Sequence, residues 1–290
     1  MFNCKISDHR ALILEGGGLR GVYTSGVLRF FVDREVRFSY VIGVSMGACN
    51  AANYVSQQPE RNKVVNIRYV KDSRYLSYRR LFVKGELFGM SFIFNTLPNS
   101  LVPFDFKTFM QSDIKCITTV TDCETGEPLY YEKKGLGETA YMKILQASCS
   151  LPFIAKPVNY DGRIMMDGGL SDPIPIRKSI DDGNDKNVLV LTRPKGYRKK
   201  PSRLMRFAYL RYPRYKGLCK ALVSRYARYN ETMDFVDQLE RRGDVFVVRP
   251  RAKLYVGRIE RNTEKLYAAY DQGYRDASTC YAELRSYSSS

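Results

Sequence analysis

An α/β fold, with a mainly parallel central sheet and helices on both faces, is what the sequence predicts, and three observations predict it. Short apolar runs alternate along the chain with longer stretches of helical character, the order that builds strand–helix–strand units. Glycine-rich turns follow directly on several of those runs, and the first two turns, at Gly16 and Ser45, lie 29 positions apart, close to the span of one such unit. A chain of 290 residues with 44% hydrophobic composition can bury one large core, so 1–290 reads as one domain.

Residues 11–14 (Ala-Leu-Ile-Leu) predict a short buried strand that runs into Glu15-Gly16-Gly17-Gly18-Leu19-Arg20-Gly21 and then a helix over about 22–32. A second strand at 40–42 leads into Gly43-Val44-Ser45-Met46-Gly47 and a helix over 46–56. Later strands are expected near 115–120, 129–132, 163–166, 187–192 and 244–249, with helices near 138–147, 215–241 and 263–284. The Ser-rich end, 286–290, reads as a short frayed tail.

The chemistry collects at the strand ends. Glycines on both sides of Ser45 give room for the strained strand-to-helix turn that lifts a serine hydroxyl off a sheet. A serine needs a base to act as a nucleophile. The chain holds one histidine, His9, which lies before the first strand, at the end of the sheet away from Ser45. A surface or strand-cap role suits His9, and the base is expected to be a carboxylate. Gly16, Gly17 and Gly18 offer bare N–H groups to an anion, as an oxyanion hole requires. A right-handed crossover sets this loop and Ser45 on the same edge of the sheet. Downstream, Ile164-Met165-Met166-Asp167-Gly168-Gly169 ends another apolar run at a carboxylate, followed by a turn that lets other backbone come close, so Asp167 can reach that edge. The glycine loop has a rival reading, because Gly16-x-Gly18-x-x-Gly21 also fits the dinucleotide fingerprint of an oxidoreductase. That fold wants an acidic ribose ligand at the end of the second strand, where this chain has Ser45.

The Gly-Gly-Gly-x-Arg-Gly loop, the Gly-x-Ser-x-Gly elbow and the Asp-Gly-Gly turn, in this order, resemble the patatin-like phospholipase family of serine acyl hydrolases. Two further stretches match, Thr121-Asp122-Cys123-Glu124-Thr125-Gly126 and Ala147-Ser148-Cys149-Ser150-Leu151-Pro152. The resemblance covers roughly the first two thirds of the chain and implies a three-layer α/β sandwich. It further implies a Ser-Asp dyad without histidine: Ser45 as nucleophile, Asp167 as base, Gly16 to Gly18 as the oxyanion loop, and Arg20 bracing that loop or meeting a phosphate. No cofactor and no metal enter this scheme. The implied partner is a phospholipid or another acyl-ester lipid.

Charge is the second source of information. The formal balance is +17, and fourteen lysines and arginines fall between Lys186 and Arg228 with no acidic residue among them. Tyrosines are interleaved with these cations over about 194–230, a mixture suited to the headgroup zone of an anionic membrane. Peripheral membrane contact is therefore expected, ahead of a plain solvated face and of a basic adaptor for nucleic acid. No helix-turn-helix, zinc-finger or RNA-binding signature is present, which argues against specific nucleic-acid readout. No apolar stretch has the length of a membrane span. The first ten residues carry no apolar signal region, and seven cysteines without paired spacing suit reduced thiols, so a cytoplasmic setting is expected. The aromatic stretch 87–98 and its continuation 101–106 suit either a wall of an acyl-chain pocket or the core.

Overall fold

The computed structural model describes residues 10–202, 205 and 207–289. His9 lies outside the described residues. Among the described residues eight strands form one sheet: β1 Arg10–Leu14, β2 Tyr40–Val44, β3 Lys115–Asp122, β4 Pro128–Glu132, β5 Val158–Tyr160, β6 Arg163–Asp167, β7 Lys186–Val190 and β8 Val245–Val248. The spatial order is β5-β6-β3-β2-β1-β7-β8, with β4 beside β3. Strands β3, β2, β1, β7 and β8 are parallel, whereas β4 and β6 run antiparallel to β3 and β5 antiparallel to β6.

The central strands β1, β2 and β7 are largely apolar because both of their faces are covered. Alternate residues point to opposite sides, so Leu12, Leu14, Val41 and Val190 enter one core, while Ala11, Ile13, Ile42 and Leu189 enter the other. The first core lies under helices Val22–Asp33, Met46–Val55 and Thr263–Thr279; the second lies under Ile176–Asp181 and the long helix Lys216–Arg242, through Tyr229, Met233, Val236 and Leu239. The result is a three-layer sandwich. Helices Val22–Asp33 and Thr263–Thr279 approach so closely that a Cβ on Gly26 would lie 2.0 Å from the Tyr270 carbonyl, and one on Gly273 would lie 2.0 Å from that of Tyr23. Two glycines thus fasten the end of the chain to its beginning.

The register explains how an antiparallel strand reaches the end of a parallel one. β4 occupies one edge of β3 over Ile117 to Thr121. On the other edge β2 pairs as far as Val44 with Thr119, and β6 ends with Asp167 opposite Val120. The carboxyl ends of β2 and β6 therefore meet head-on.

Several boundaries differ from the sequence expectation. The strand expected at 187–192 stops at Val190, because Thr192 turns away to bind Glu15. The helix expected over 263–284 breaks at Cys280 into Thr263–Thr279 and Tyr281–Ser289. The end expected to fray is helical through Ser289, and the Tyr287 hydroxyl ties it down by accepting from Asn187 N–H and donating to the Asp244 carbonyl, both at 2.9 Å. Between 57 and 114, where no element was expected, the chain forms short helices at Tyr78–Lys84 and Phe106–Gln111 and wide π-helical turns at Val64–Arg68 and Phe92–Leu101.

Candidate active site

Ser45 caps helix Met46–Val55 with φ 57° and ψ −126°, a left-handed backbone that a residue with a side chain adopts at a cost of about 1–3 kcal/mol. The turn is held from several sides. Ser45 N–H donates to Ser148 Oγ at 2.8 Å, and Ser148 Oγ donates in turn to the Thr119 carbonyl at 2.7 Å. Asn50, one helical turn on, donates from Nδ2 to the Gly21 carbonyl at 2.9 Å and so ties the elbow helix to the glycine loop.

Asp167 is fixed by the same segment. Its N–H donates to the Ser150 carbonyl at 2.9 Å, and its own carbonyl accepts from Thr121 Oγ1 at 2.8 Å. The carboxyl group is 2% exposed; Oδ1 accepts from Gly169 N–H at 2.8 Å, while Oδ2 is buried without a hydrogen-bond partner of good geometry. Burial pushes this carboxyl above the usual carboxylate range, opposed by the Arg225 charge, the Ser45 hydroxyl beside it, Gly169 N–H and Arg258. The direction matters, because an ordinary carboxylate is a poor match to a serine hydroxyl and a raised one is a better base.

In the glycine loop, Glu15 N–H donates to the Val190 carbonyl and Leu19 N–H to that of Arg258, both at 3.1 Å. Among the described residues the N–H groups of Gly16, Gly17 and Gly18 between them donate to nothing. Gly18 has φ +57°, and a Cβ there would stand 2.6 Å from the Arg258 carbonyl, so a side chain is excluded on both counts. Three free donors beside a serine are what a developing oxyanion needs.

Ser45 borders two cavities of opposite character. The larger, 340 Å³, is apolar, with Val65, Phe88, Met90, Phe94 and Phe104 in its wall. The aromatic stretch thus serves as wall and core together, since Leu87 and Leu97 are fully buried beneath it. Cys49 and Cys149 also line this cavity with their sulfurs 3.6 Å apart, and that contact, with burial, raises the Cys149 thiol well above its ordinary value. The smaller cavity, 30 Å³, holds Gly16, Gly17, Gly18 and Asp167 in its wall, with Arg20, Arg193, Lys199, Arg225 and Arg258 around them.

The structure brings Ser45, Asp167 and the three glycines together. Arg20 turns into the small cavity, where burial and Arg193 lower its pKa to about 10 and its Nε has no partner. The basic segment divides: Arg225 and Lys199 face the site, whereas Phe207, Tyr209 and Leu210 are exposed. Glu15, Ser148, Lys199, Arg225 and Arg258 were not singled out from the sequence. Ser148 lies in a stretch that the resemblance marked and Glu15 opens the glycine loop; for Arg258 no local signal exists.

Comparison with known proteins adds to this geometry. The family described as Patatin-like phospholipase matches residues 12–179, and one described as Domain of unknown function (DUF6363) matches residues 215–289. The uncharacterized protein YjjU of Escherichia coli (strain K12) is 26% identical over 196 residues, 63% of this chain and 52% of that protein. The probable lipid hydrolase 463L of Invertebrate iridescent virus 6 is 25% identical over 205 residues, 64% of this chain and 68% of that protein. The match thus spans about half the length of YjjU. The crystal structure of VipD from Legionella pneumophila superposes with a TM-score of 0.51 at 13% identity, over 94% of this chain and 66% of that one. It supports the fold.

Proposed function

The chain belongs to the patatin-like phospholipase family, and from that premise we propose that it cleaves a carboxylic ester of a lipid, as a phospholipase A or lysophospholipase, through a Ser45 acyl-enzyme. The observation that carries this reading is the head-on meeting of β2 and β6, which sets the buried, unpartnered Asp167 Oδ2 beside the elbow of Ser45, itself in the wall of a 340 Å³ apolar cavity.

Ser45 Oγ attacks the ester carbonyl carbon while its proton passes to Asp167 Oδ2. The carbonyl oxygen becomes an oxyanion held by the N–H groups of Gly16, Gly17 and Gly18. Collapse of this intermediate expels the alcohol, which takes the proton from Asp167 and leaves the acyl group on Ser45. Water then attacks the acyl-enzyme while Asp167 takes its proton; collapse expels Ser45 Oγ, which recovers that proton, and free fatty acid departs. The acyl chain rests in the apolar cavity throughout.

Contact with a membrane surface is part of the proposal. Phe82 and Val83, on helix Tyr78–Lys84, are 87% and 73% exposed, and Leu210 is 79% exposed. These residues lie close in sequence to Tyr75, Phe88 and Met205, which line the acyl cavity. Exposed apolar side chains beside arginines and lysines suit a bilayer interface. The test is hydrolysis of anionic liposomes against a soluble short-chain ester. Phe82→Ser with Leu210→Ser should lower the first about tenfold and leave the second nearly untouched; an equal fall in both contradicts docking.

A further inference from the structure

The apolar cavity carries a charge at the end away from the nucleophile. Ser45, Met46, Cys49, Ala52 and Asn53 all stand in its wall, so one face of helix Met46–Val55 runs along the cavity from Ser45 to Asn53, eight residues on and about 12 Å away. There Arg61 joins the wall. Its Nε and Nη2 donate to the Val102 carbonyl at 3.1 and 2.9 Å, and its guanidinium lies 5.3 Å from the Phe104 ring, so the group is held in place. Among the described residues Arg61 forms no ion pair within 4.0 Å. Burial lowers its pKa to about 10, opposed by the Cys49 sulfur and by no carboxylate. A neutral donor would serve the Val102 carbonyl as well, so that contact leaves the charge without a use. Asn53 stands beside it and is 2% exposed; its Oδ1 accepts from Arg61 Nη1 at 3.5 Å, and its Nδ2 is buried without a partner. The amides of Asn62 and Asn66, in the same wall, are spent on Asn50 Oδ1 and Met46 Sδ. A buried amide donor and a buried cation, both unanswered, are costly until an anionic acceptor reaches them.

We propose that Arg61 and Asn53 receive a carboxylate at the far end of the acyl chain, so that the enzyme prefers esters of acyl groups that end in a carboxylate over those that end in a methyl group. The inference rests on the reading of Ser45 as the ester-cleaving nucleophile and names the acyl class for that site. An extended chain advances about 1.2 Å per bond, as the 3.6 Å that a stretched peptide covers in three backbone bonds shows, so about 12 Å corresponds to about ten bonds. With its carbonyl at Ser45, an extended acyl group of about ten carbons therefore puts a terminal carboxylate oxygen at Asn53. Guanidinium is the side-chain partner best shaped for a carboxylate, and Asn53 Nδ2 adds a second donor. The apolar wall at Val65, Phe94 and Phe104 takes the methylenes between the two ends.

The experiment compares kcat/KM on p-nitrophenyl hydrogen sebacate and p-nitrophenyl decanoate, which match in length and differ in the terminal carboxylate. Wild type should favour the sebacate about tenfold or more, the worth of a charge-assisted hydrogen bond. A short pair, p-nitrophenyl hydrogen adipate against p-nitrophenyl butyrate, should show no such preference, because the adipate carboxylate stops short of Asn53. Asn53→Asp sets a carboxylate of the protein against Arg61 and leaves the tie to Val102 intact, so the ratio of sebacate to decanoate should fall to about one; Arg61→Gln should lower it likewise. Equal rates on sebacate and decanoate in wild type, or a preference that survives in Asn53→Asp, overturns the proposal. An adipate preference as large as the sebacate one also overturns it and assigns the effect to the overall positive charge. Failure of the catalytic reading shows separately, as no hydrolysis of any of the four esters. Calorimetry on Ser45→Ala then decides: monomethyl sebacate bound about tenfold tighter than methyl decanoate, with the difference lost on adding Asn53→Asp, supports the site, and equal binding overturns it.

Discussion

The two cavities that meet at Ser45 differ in charge, in size and in where their cations lie in the chain. The apolar one draws mainly on residues between Leu19 and Leu170, within the patatin-like match, whereas four of the five cations in the other come from Arg193 to Arg258. Reaction centre and acyl wall are thus written in one stretch of sequence and most of the cations around the centre in another. The lesson is that most of the charge beside the reaction centre is supplied by a part of the chain that the patatin-like match does not cover. β8 and helix Thr263–Thr279, both inside the second matched region, join the same sheet and the same core, so the later part of the chain is fixed rigidly against the earlier part.

The largest effects should follow changes to the shared centre, because those strike every substrate. Asp167→Asn keeps the acceptor for Gly169 N–H and removes the base, and it should lower kcat about 10²-fold or more on lipid and butyrate alike. It also removes a carboxylate whose charged form burial disfavours, so Tm should not fall. A substrate-selective loss would break the division between shared centre and separate walls. Within the loop, Gly18→Ala forces a Cβ onto the Arg258 carbonyl at a left-handed backbone and should cost about 10²–10³ in rate. Gly17→Ala meets Thr192 Oγ1 at 3.0 Å without a left-handed φ, so its loss should be smaller, about tenfold or less. Steady-state rates on butyrate check that order.

Selective effects come next. Val65→Phe narrows the apolar cavity alone, and the ratio of palmitoyl to butyryl ester hydrolysis should drop about tenfold. Similar losses on both chain lengths would place the acyl chain elsewhere. The pH profile links the two cavities. Asp167 must be ionised to take the Ser45 proton, so the rate falls as pH falls through its raised pKa, and the acid limb should lie above the ordinary carboxylate range. Arg225 holds that pKa down, so Arg225→Gln should move the acid limb to higher pH. An unmoved limb would uncouple the cationic wall from the base. His9→Ala should show the smallest effect, with rates within about twofold of wild type.

How much of this was legible in the sequence depended on whether the signal was local. Ser45, Asp167 and Gly16 to Gly18 were readable because strand ends and glycine turns leave short patterns, and the register then explains why they meet. The direction of β6 was not readable, since five apolar residues look alike in either sense. The cations from Lys186 to Arg228 were visible as a run, yet nothing local distinguished Lys199 and Arg225, turned inward by Tyr229 and Gly169, from those left at the surface. Arg258 joins the site through its contact with Leu19 across the fold, which only the tertiary structure reveals.

The central claim is that Ser45 is an activated nucleophile set beside Asp167 by the meeting of two strand ends. Labelling with a fluorophosphonate, followed by mass-spectrometric mapping of the modified peptide, tests it most directly. The account predicts one label per chain, on Ser45, absent from Ser45→Ala and slowed strongly in Asp167→Asn. A label on another residue, or labelling and ester hydrolysis that persist undiminished in Ser45→Ala, would contradict it.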